Sequence, residues 1–123
     1  MARSDTQLNP RLLRWLDELR MTDVPDYGGK NASLGELLGN LEQQGVQVPG
    51  GVATSAQAFR DFLTSNDLTA RVAARLEGLD VDDVQALARA GAEIRGWIEA
   101  APLPTELAEG IALAVGALEA EAG

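Results

Sequence analysis

Apolar residues recur three and four apart through most of this 123-residue chain, while only two or three short stretches read as strands. That imbalance restricts the fold more than any other feature. Val84, Leu87, Gly91, Ile94 and Ile98 mark a helix from about Asp82 to Ala101, and Asp80, Asp82 and Asp83 sit at its start, where acidic side chains suit the helix dipole. Pro102 ends it. Pro104 fits the first position of a last helix, whose face is Leu107, Ile111, Ala114 and Leu118. Further forward, Thr54 or Ser55 can cap a helix carrying Phe59, Phe62 and Leu63. Asn66-Asp67 stops that helix, and a short one from Thr69 to Leu76 follows, with Leu68, Val72 and Leu76 on one side.

The strand candidates lie near the front. In LLRWLDEL, from Leu12 to Leu19, the spacing of apolar residues fits a short helix or a short strand around Arg14 to Leu16, and periodicity does not choose between them. Val46 to Thr54 alternates β-branched and small residues around Pro49-Gly50-Gly51, which predicts a turn into a short buried strand near Val52. Two short strands make a poor sheet alone, so the expectation is a helix-rich α/β (α+β) chain whose strands belong to a larger sheet. An exposed sheet edge would then be covered by other sequence or by self-association. Residues 1–11, ending in polar sequence around Asn9-Pro10, read as a flexible leader.

Composition narrows the chemistry. Hydrophobic residues make up 46% and charged residues 24%, so the chain is expected to fold. The net charge of −9 opposes a nucleic-acid backbone, and no run of residues resembles a membrane span or a secretory leader, so the expectation is a cytoplasmic protein. With neither cysteine nor histidine there is no disulfide, no thiolate, no ordinary zinc site and no phosphohistidine in this sequence. One lysine, Lys30, stands among nine arginines.

That lysine closes Val24-Pro25-Asp26-Tyr27-Gly28-Gly29-Lys30, which Pro25 and the glycine pair mark as a loop. Helical spacing of Leu34, Leu37, Leu38 and Leu41 follows, ending near Gly45, and Ser33 with Glu36 has the form of a capping box. Three features suit a phosphate. Gly28 and Gly29 let backbone N–H groups approach an anion, the helix start adds partial positive charge, and Lys30 adds a full one. From spacing alone, a tight turn with a solvated lysine is the better fit. A P-loop is disfavoured, because Val24 and Asn31 stand where that motif needs Gly and Ser or Thr.

The longer string Gly28-Gly29-Lys30-Asn31-Ala32-Ser33-Leu34-Gly35-Glu36 resembles the GGKNASLGE signature of the phosphoenolpyruvate synthases. Its flanks agree: Trp15-Leu16-Asp17-Glu18-Leu19 is similar to the family's W-F-D-E-L, Val46 to Thr54 to its V-x-V-P-x-G-F-A-T, and Asp82 to Ile98 to its D-D-V-x-x-L-A-x-A-G-A-x-I-R-x-W-I. The resemblance covers about Leu13 to Leu118. It implies the first part of an ATP-grasp type nucleotide-binding domain, filling 12–123. Lys30 would contact the ATP phosphates, and Gly28 and Gly29 would make room for them. It also implies that the magnesium ligands, a second phosphate-contacting arginine in V-R-S-S, the phosphohistidine domain and the phosphoenolpyruvate/pyruvate barrel lie in further sequence, so that ATP and the rest of the synthase are the partners. Val52 and Ser55 replace the usual Phe and Thr, which reads as packing variation. A stand-alone protein-interaction module, another dikinase or a rifampicin phosphotransferase are the alternatives.

Other conspicuous residues have structural readings. Asp80, Asp82 and Asp83 suit a helix start, Trp15 and Trp97 a core or domain interface, and Arg95 a surface ion pair.

Overall fold

In the computed structural model, which describes residues 6–122, the ambiguous segment at the front is a strand. Strand β1, Leu13–Trp15, pairs antiparallel with β2, Val52–Thr54, in the register Leu13 with Thr54, Arg14 with Ala53 and Trp15 with Val52. Strands of three residues persist because both faces of the ribbon are covered. On one face Leu13 and Trp15 join Leu12, Ala58, Leu107, Ala114 and Ala117 in the main core. On the other, Ala53 packs with Leu19 and Tyr27.

Six helices follow the order α1 Val24–Tyr27, α2 Gly29–Gln43, α3 Ala56–Ser65, α4 Leu68–Leu76, α5 Val84–Ala100 and α6 Thr105–Ala122. Two 3₁₀ turns, Leu16–Glu18 and Met21–Asp23, join β1 to α1. The helix-rich α/β expectation holds, with two strands among the described residues. The chain divides into two compact units, one running to Arg60 and resuming at Thr105, the other from Asp61 to Pro104.

In the first unit α2 lies against the turn Leu16–Leu19 at unusually short range. A Cβ at Gly35 would fall 2.5 Å from the Leu16 carbonyl oxygen, 2.6 Å from that of Leu19 and 2.7 Å from the Leu19 Cβ. One turn on, a Cβ at Gly39 would strike the Arg20 guanidinium. That guanidinium is fixed there because its Nη1 donates to the carbonyls of Asp17 and Leu19, both at 2.7 Å, and of Gly35 at 3.2 Å. The helix ends in a Schellman motif: Gly45 takes φ +83°, its N–H reaches the Glu42 carbonyl, and the Val46 N–H reaches that of Leu41.

Helix α6 crosses β1 at Gly110, where a Cβ would lie 2.9 Å from Leu13 Cδ2. Residues 1–5 of the expected leader lie outside the described residues. Its remainder makes fixed contacts: Thr6 is buried, Leu8 packs on the core, and the Asn9 amide donates to Glu106 at 2.6 Å.

The second unit is smaller. Asn66, predicted as a stop, donates to the carbonyls of Phe62 and Pro102, both at 2.9 Å, and Asp67 takes the left-handed conformation, φ +56°. Arg71 stacks over the Trp97 ring at 4.2 Å, and Arg75 pairs with Glu93 at 2.5 Å, tying α4 to α5.

Three local expectations need correction. The span 24–30 is not a loop throughout: Pro25 opens the single turn α1, where its missing N–H costs nothing, and only Gly28 breaks the helix. Ser33 and Glu36 form no capping box, because α2 already starts at Gly29 and Ser33 is interior. The expected stripe of α5 is exposed at its start, with Val84 75% and Leu87 38% exposed, while Gly91, Ile94 and Ile98 are partly buried and the fully buried residue of the helix is Ala90.

Gly35→Ala is expected to destabilise the fold by about 1–3 kcal/mol despite the better helix propensity of alanine, through overpacking. Gly116→Ala, in open space on α6, is expected to be neutral or to stabilise by up to about 1 kcal/mol. Chemical denaturation of the two variants checks the contrast.

Candidate functional site

Helix α2 begins where the backbone breaks at Gly28, which adopts φ +87°, ψ 157°, a region essentially closed to other residues. The first helical hydrogen bond runs from the Ala32 N–H to the Gly28 carbonyl, 3.1 Å. The N–H groups of Gly29, Lys30 and Asn31 therefore precede the helical ladder at its positive end. No heavy atom beyond the adjacent residues lies within 4 Å of a Cβ built on Gly28 or Gly29, and both glycines and Lys30 are exposed. The structure thus brings Gly28, Gly29 and Lys30 together as one open, donor-rich corner.

The rest of the nine-residue motif holds that corner from behind. Asn31 donates its side-chain amide to the Tyr27 carbonyl at 3.0 Å, bridging the break. Ala32 is fully buried, Gly35 allows the close approach to Leu16–Leu19, and Glu36 accepts the Met21 N–H at 3.1 Å.

Three residues that the motif did not reveal complete the support. Tyr27, buried directly before Gly28, donates its hydroxyl to the Pro10 carbonyl at 2.6 Å. Arg14, on β1, places its guanidinium 5.8 Å from the centre of the Tyr27 ring and pairs with Asp23 at 2.7 Å. The other Asp23 oxygen accepts the Arg20 N–H at 2.9 Å. That backbone N–H, with the charge of Arg14 adding to it, holds the Asp23 carboxyl below the ordinary carboxylate range even though partial burial acts the other way. Its contribution to stability is present above the ordinary carboxylate value and is lost as pH falls through the depressed one. The only sequence signal for Tyr27 is its position as the sole tyrosine, next to the glycine pair.

Beside Tyr27, Arg11, Arg14 and Arg60 line a depression of about 360 Å³ together with Asp23 and Asp26. Three of the nine arginines gather here in an otherwise acidic chain, and two carboxylates offset them. A larger depression, about 950 Å³, lies elsewhere, between residues 45–50 and the end of α6.

The remaining candidates have structural duties. Trp15 is buried in the core, Asp83 caps α5 by accepting the Ala86 N–H at 3.0 Å, and Asp80 accepts the Asp82 N–H at 2.9 Å. Arg95 is exposed. Among the described residues no three His, Cys, Asp or Glu side chains gather as a metal-holding group.

A glycine-opened helix start bearing one lysine, braced on its inner side and open on its outer side, has the donor pattern that suits an anion. Residues 24–123 match the family described as pyruvate phosphate dikinase, AMP/ATP-binding domain, and the chain belongs to that family. It is 52% identical over 109 residues to a phosphoenolpyruvate synthase of Neisseria meningitidis, covering 89% of this chain and 14% of that protein. Phosphoenolpyruvate synthases of Deinococcus radiodurans and Escherichia coli are 52% identical over 105 residues and 46% identical over 110, covering 85% and 89% of this chain and again 14% of each relative. The chain therefore spans a small part of the length of the curated relatives it matches.

Two measurements test this account of the corner. Burial pushes the Tyr27 hydroxyl up to about 12. Because the folded value lies above the unfolded one near 10, the stability linked to it is intact below pH ~10 and lost as pH rises toward 12. With a single tyrosine in the chain, phenolate absorbance should rise with a midpoint near 12, falling to about 10 when the chain is unfolded in denaturant. Gly28→Ala should cost about 1–3 kcal/mol from backbone strain alone, whereas Gly29→Ala, inside the first helical turn, should leave stability within about 0.5 kcal/mol in thermal unfolding.

Proposed function

We propose that this chain supplies the phosphate-binding opening of the ATP-binding domain of a phosphoenolpyruvate synthase, with Lys30 on the ATP phosphates and Gly28 and Gly29 making room for them. The observation that carries this reading is the open corner at residues 28–30, where Gly28, Gly29 and Lys30 are exposed. The resemblance to the synthases supports an ATP-grasp type domain and a cytoplasmic enzyme. No described helix is long and apolar enough to cross a membrane.

The whole synthase, on this reading, turns ATP, pyruvate and water into AMP, phosphoenolpyruvate and phosphate through a phosphorylated histidine. This chain has no histidine, so the phosphohistidine belongs to other sequence, and the resemblance to the synthases implies the same of the magnesium ligands. Its own contribution is positioning and charge. N–H groups at the start of α2 orient the phosphates, and Lys30 neutralises them. In open water a lysine 4 Å from one phosphate charge gains about 1 kcal/mol, against about 4 kcal/mol at an effective dielectric of 20. The corner becomes strong only when another lobe excludes water.

Titration calorimetry with ATP and magnesium should show binding to the chain that weakens at least about tenfold, or some 1.4 kcal/mol, in Lys30→Ala. An unchanged affinity in that variant would overturn the assignment of Lys30. The chain alone should form no phosphoenolpyruvate from AMP-generating turnover of ATP and pyruvate; product in that assay would show that the machinery is complete here.

A further inference from the structure

The depression of about 360 Å³ beside Tyr27 gathers positive charge in a chain whose net charge is −9. Guanidinium groups reach it from three segments: Arg11 from just before β1, Arg14 from β1 itself and Arg60 from α3. Asp23 and Asp26 line it too, so three positive side chains stand against two negative ones. Asp23 is paired with Arg14 at 2.7 Å. With that pair cancelled, the charges of Arg11 and Arg60, both exposed, outnumber that of Asp26.

The frame that carries these groups is fixed. The Arg11 N–H donates to the Asn9 side-chain oxygen at 3.0 Å, and the Arg11 carbonyl accepts the Ser55 hydroxyl at 2.5 Å. Next to it, the Pro10 carbonyl accepts the Tyr27 hydroxyl at 2.6 Å. Arg14 is held by Asp23 and over the Tyr27 ring, while Arg60 Nη2 donates to Gln57, one turn earlier on α3, at 2.9 Å. Like charges brought together by such a frame repel one another, and an anion seated among them removes that cost.

We propose that this depression is an anion site separate from the corner at Lys30, and that it takes the phosphate group of a small molecule. Gly28, Gly29 and Lys30 are not among the residues that line it, and the proposal does not depend on the ATP-binding reading. Three features select the ligand. Guanidinium forks meet phosphate oxygens two at a time, and their partial fixation in advance lowers the cost of ordering them. A phosphate dianion matches the two charges of Arg11 and Arg60, whereas a single carboxylate leaves one of them over. The volume lies near the lower end of the roughly 300–1,000 Å³ range of ligand pockets, which suits a small molecule, and Asp26 offers an acceptor for a hydroxyl on it.

The single tyrosine of the chain lines the depression and reports on it. Inorganic phosphate, titrated at constant ionic strength into the 123-residue chain, should move the Tyr27 ring-proton resonances along a saturating curve. Acetate should move them at least about tenfold more weakly. The same curve is expected in Lys30→Ala, and a Kd at least about tenfold higher in Arg11→Gln/Arg60→Gln. Far-ultraviolet dichroism establishes that the double variant is folded, and Arg60→Gln alone replaces it if it is not. A shift that never saturates, or one that the arginine variants leave unchanged, overturns the proposal. Loss of the curve in Lys30→Ala assigns the phosphate to the corner and overturns it as well, and acetate binding as tightly as phosphate overturns the ligand class. ATP binding by Lys30→Ala is read separately by calorimetry, so failure of the ATP-binding reading and failure of this one are seen independently.

Discussion

The contact between α2 and the turn Leu16–Leu19 sets the position of everything the chain offers to a ligand. At Gly35 the helix comes so near that a single methyl group would overlap two carbonyl oxygens. Arg20 then reaches over Gly39 and ties the carbonyls of Asp17, Leu19 and Gly35 together with one guanidinium. With the helix axis fixed this tightly at its middle, its first turn is placed by geometry, and Lys30 with it. The close approach leaves little room on the inner face, which Ala32, Gly35 and Gly39 line with Leu38, while Leu34 and Leu37 stay exposed on the outer one.

A ribbon of six strand residues would be marginal in water. It holds here because its neighbours bind it at the ends as well as on the faces. The Leu16 N–H donates to the Gly51 carbonyl at 2.9 Å and the Ser55 N–H to that of Leu12 at 2.8 Å, extending the pairing past the strands. Ser55 then turns the chain into α3: its hydroxyl donates to the Arg11 carbonyl at 2.5 Å and accepts the Ala58 N–H at 3.0 Å. One side chain thereby closes the sheet and caps a helix, a duty that the hydroxyl of threonine, the residue usual at this position in the synthases, can equally perform.

Electrostatics divide the chain into a general surface and one special corner. The overall charge of −9 keeps phosphates away from most of it. Around Tyr27 the balance changes, because Arg11, Arg14 and Arg60 gather beside the break at Gly28 and Asp23 is neutralised by Arg14. Tyr27 separates this basic patch from the interior. Burial disfavours its phenolate, so the hydroxyl stays protonated beyond the ordinary tyrosine value.

Much of this was legible beforehand. The helices over 68–76, 84–100 and 105–122, the strand near Val52 and the stop at Asn66-Asp67 follow from local spacing and capping chemistry, which act within a few residues. The motif Gly28 to Glu36 located the corner and, by its length, the family, because so long a string matches few others by chance. Sequence could not say which residues of that motif face a ligand and which face the protein, since Gly35 and Gly29 look alike until the turn at Leu16 is brought beside one of them. Nor could it find Arg14, Asp23 and Tyr27, whose partners lie nine to seventeen residues away and are joined by the fold. Local rules thus determined most of the helices and marked the break at Gly28. Only the tertiary structure decided that Asn31, Ala32, Gly35 and Glu36 are anchors and that Gly28, Gly29 and Lys30 are free, because that distinction depends on what packs against each residue.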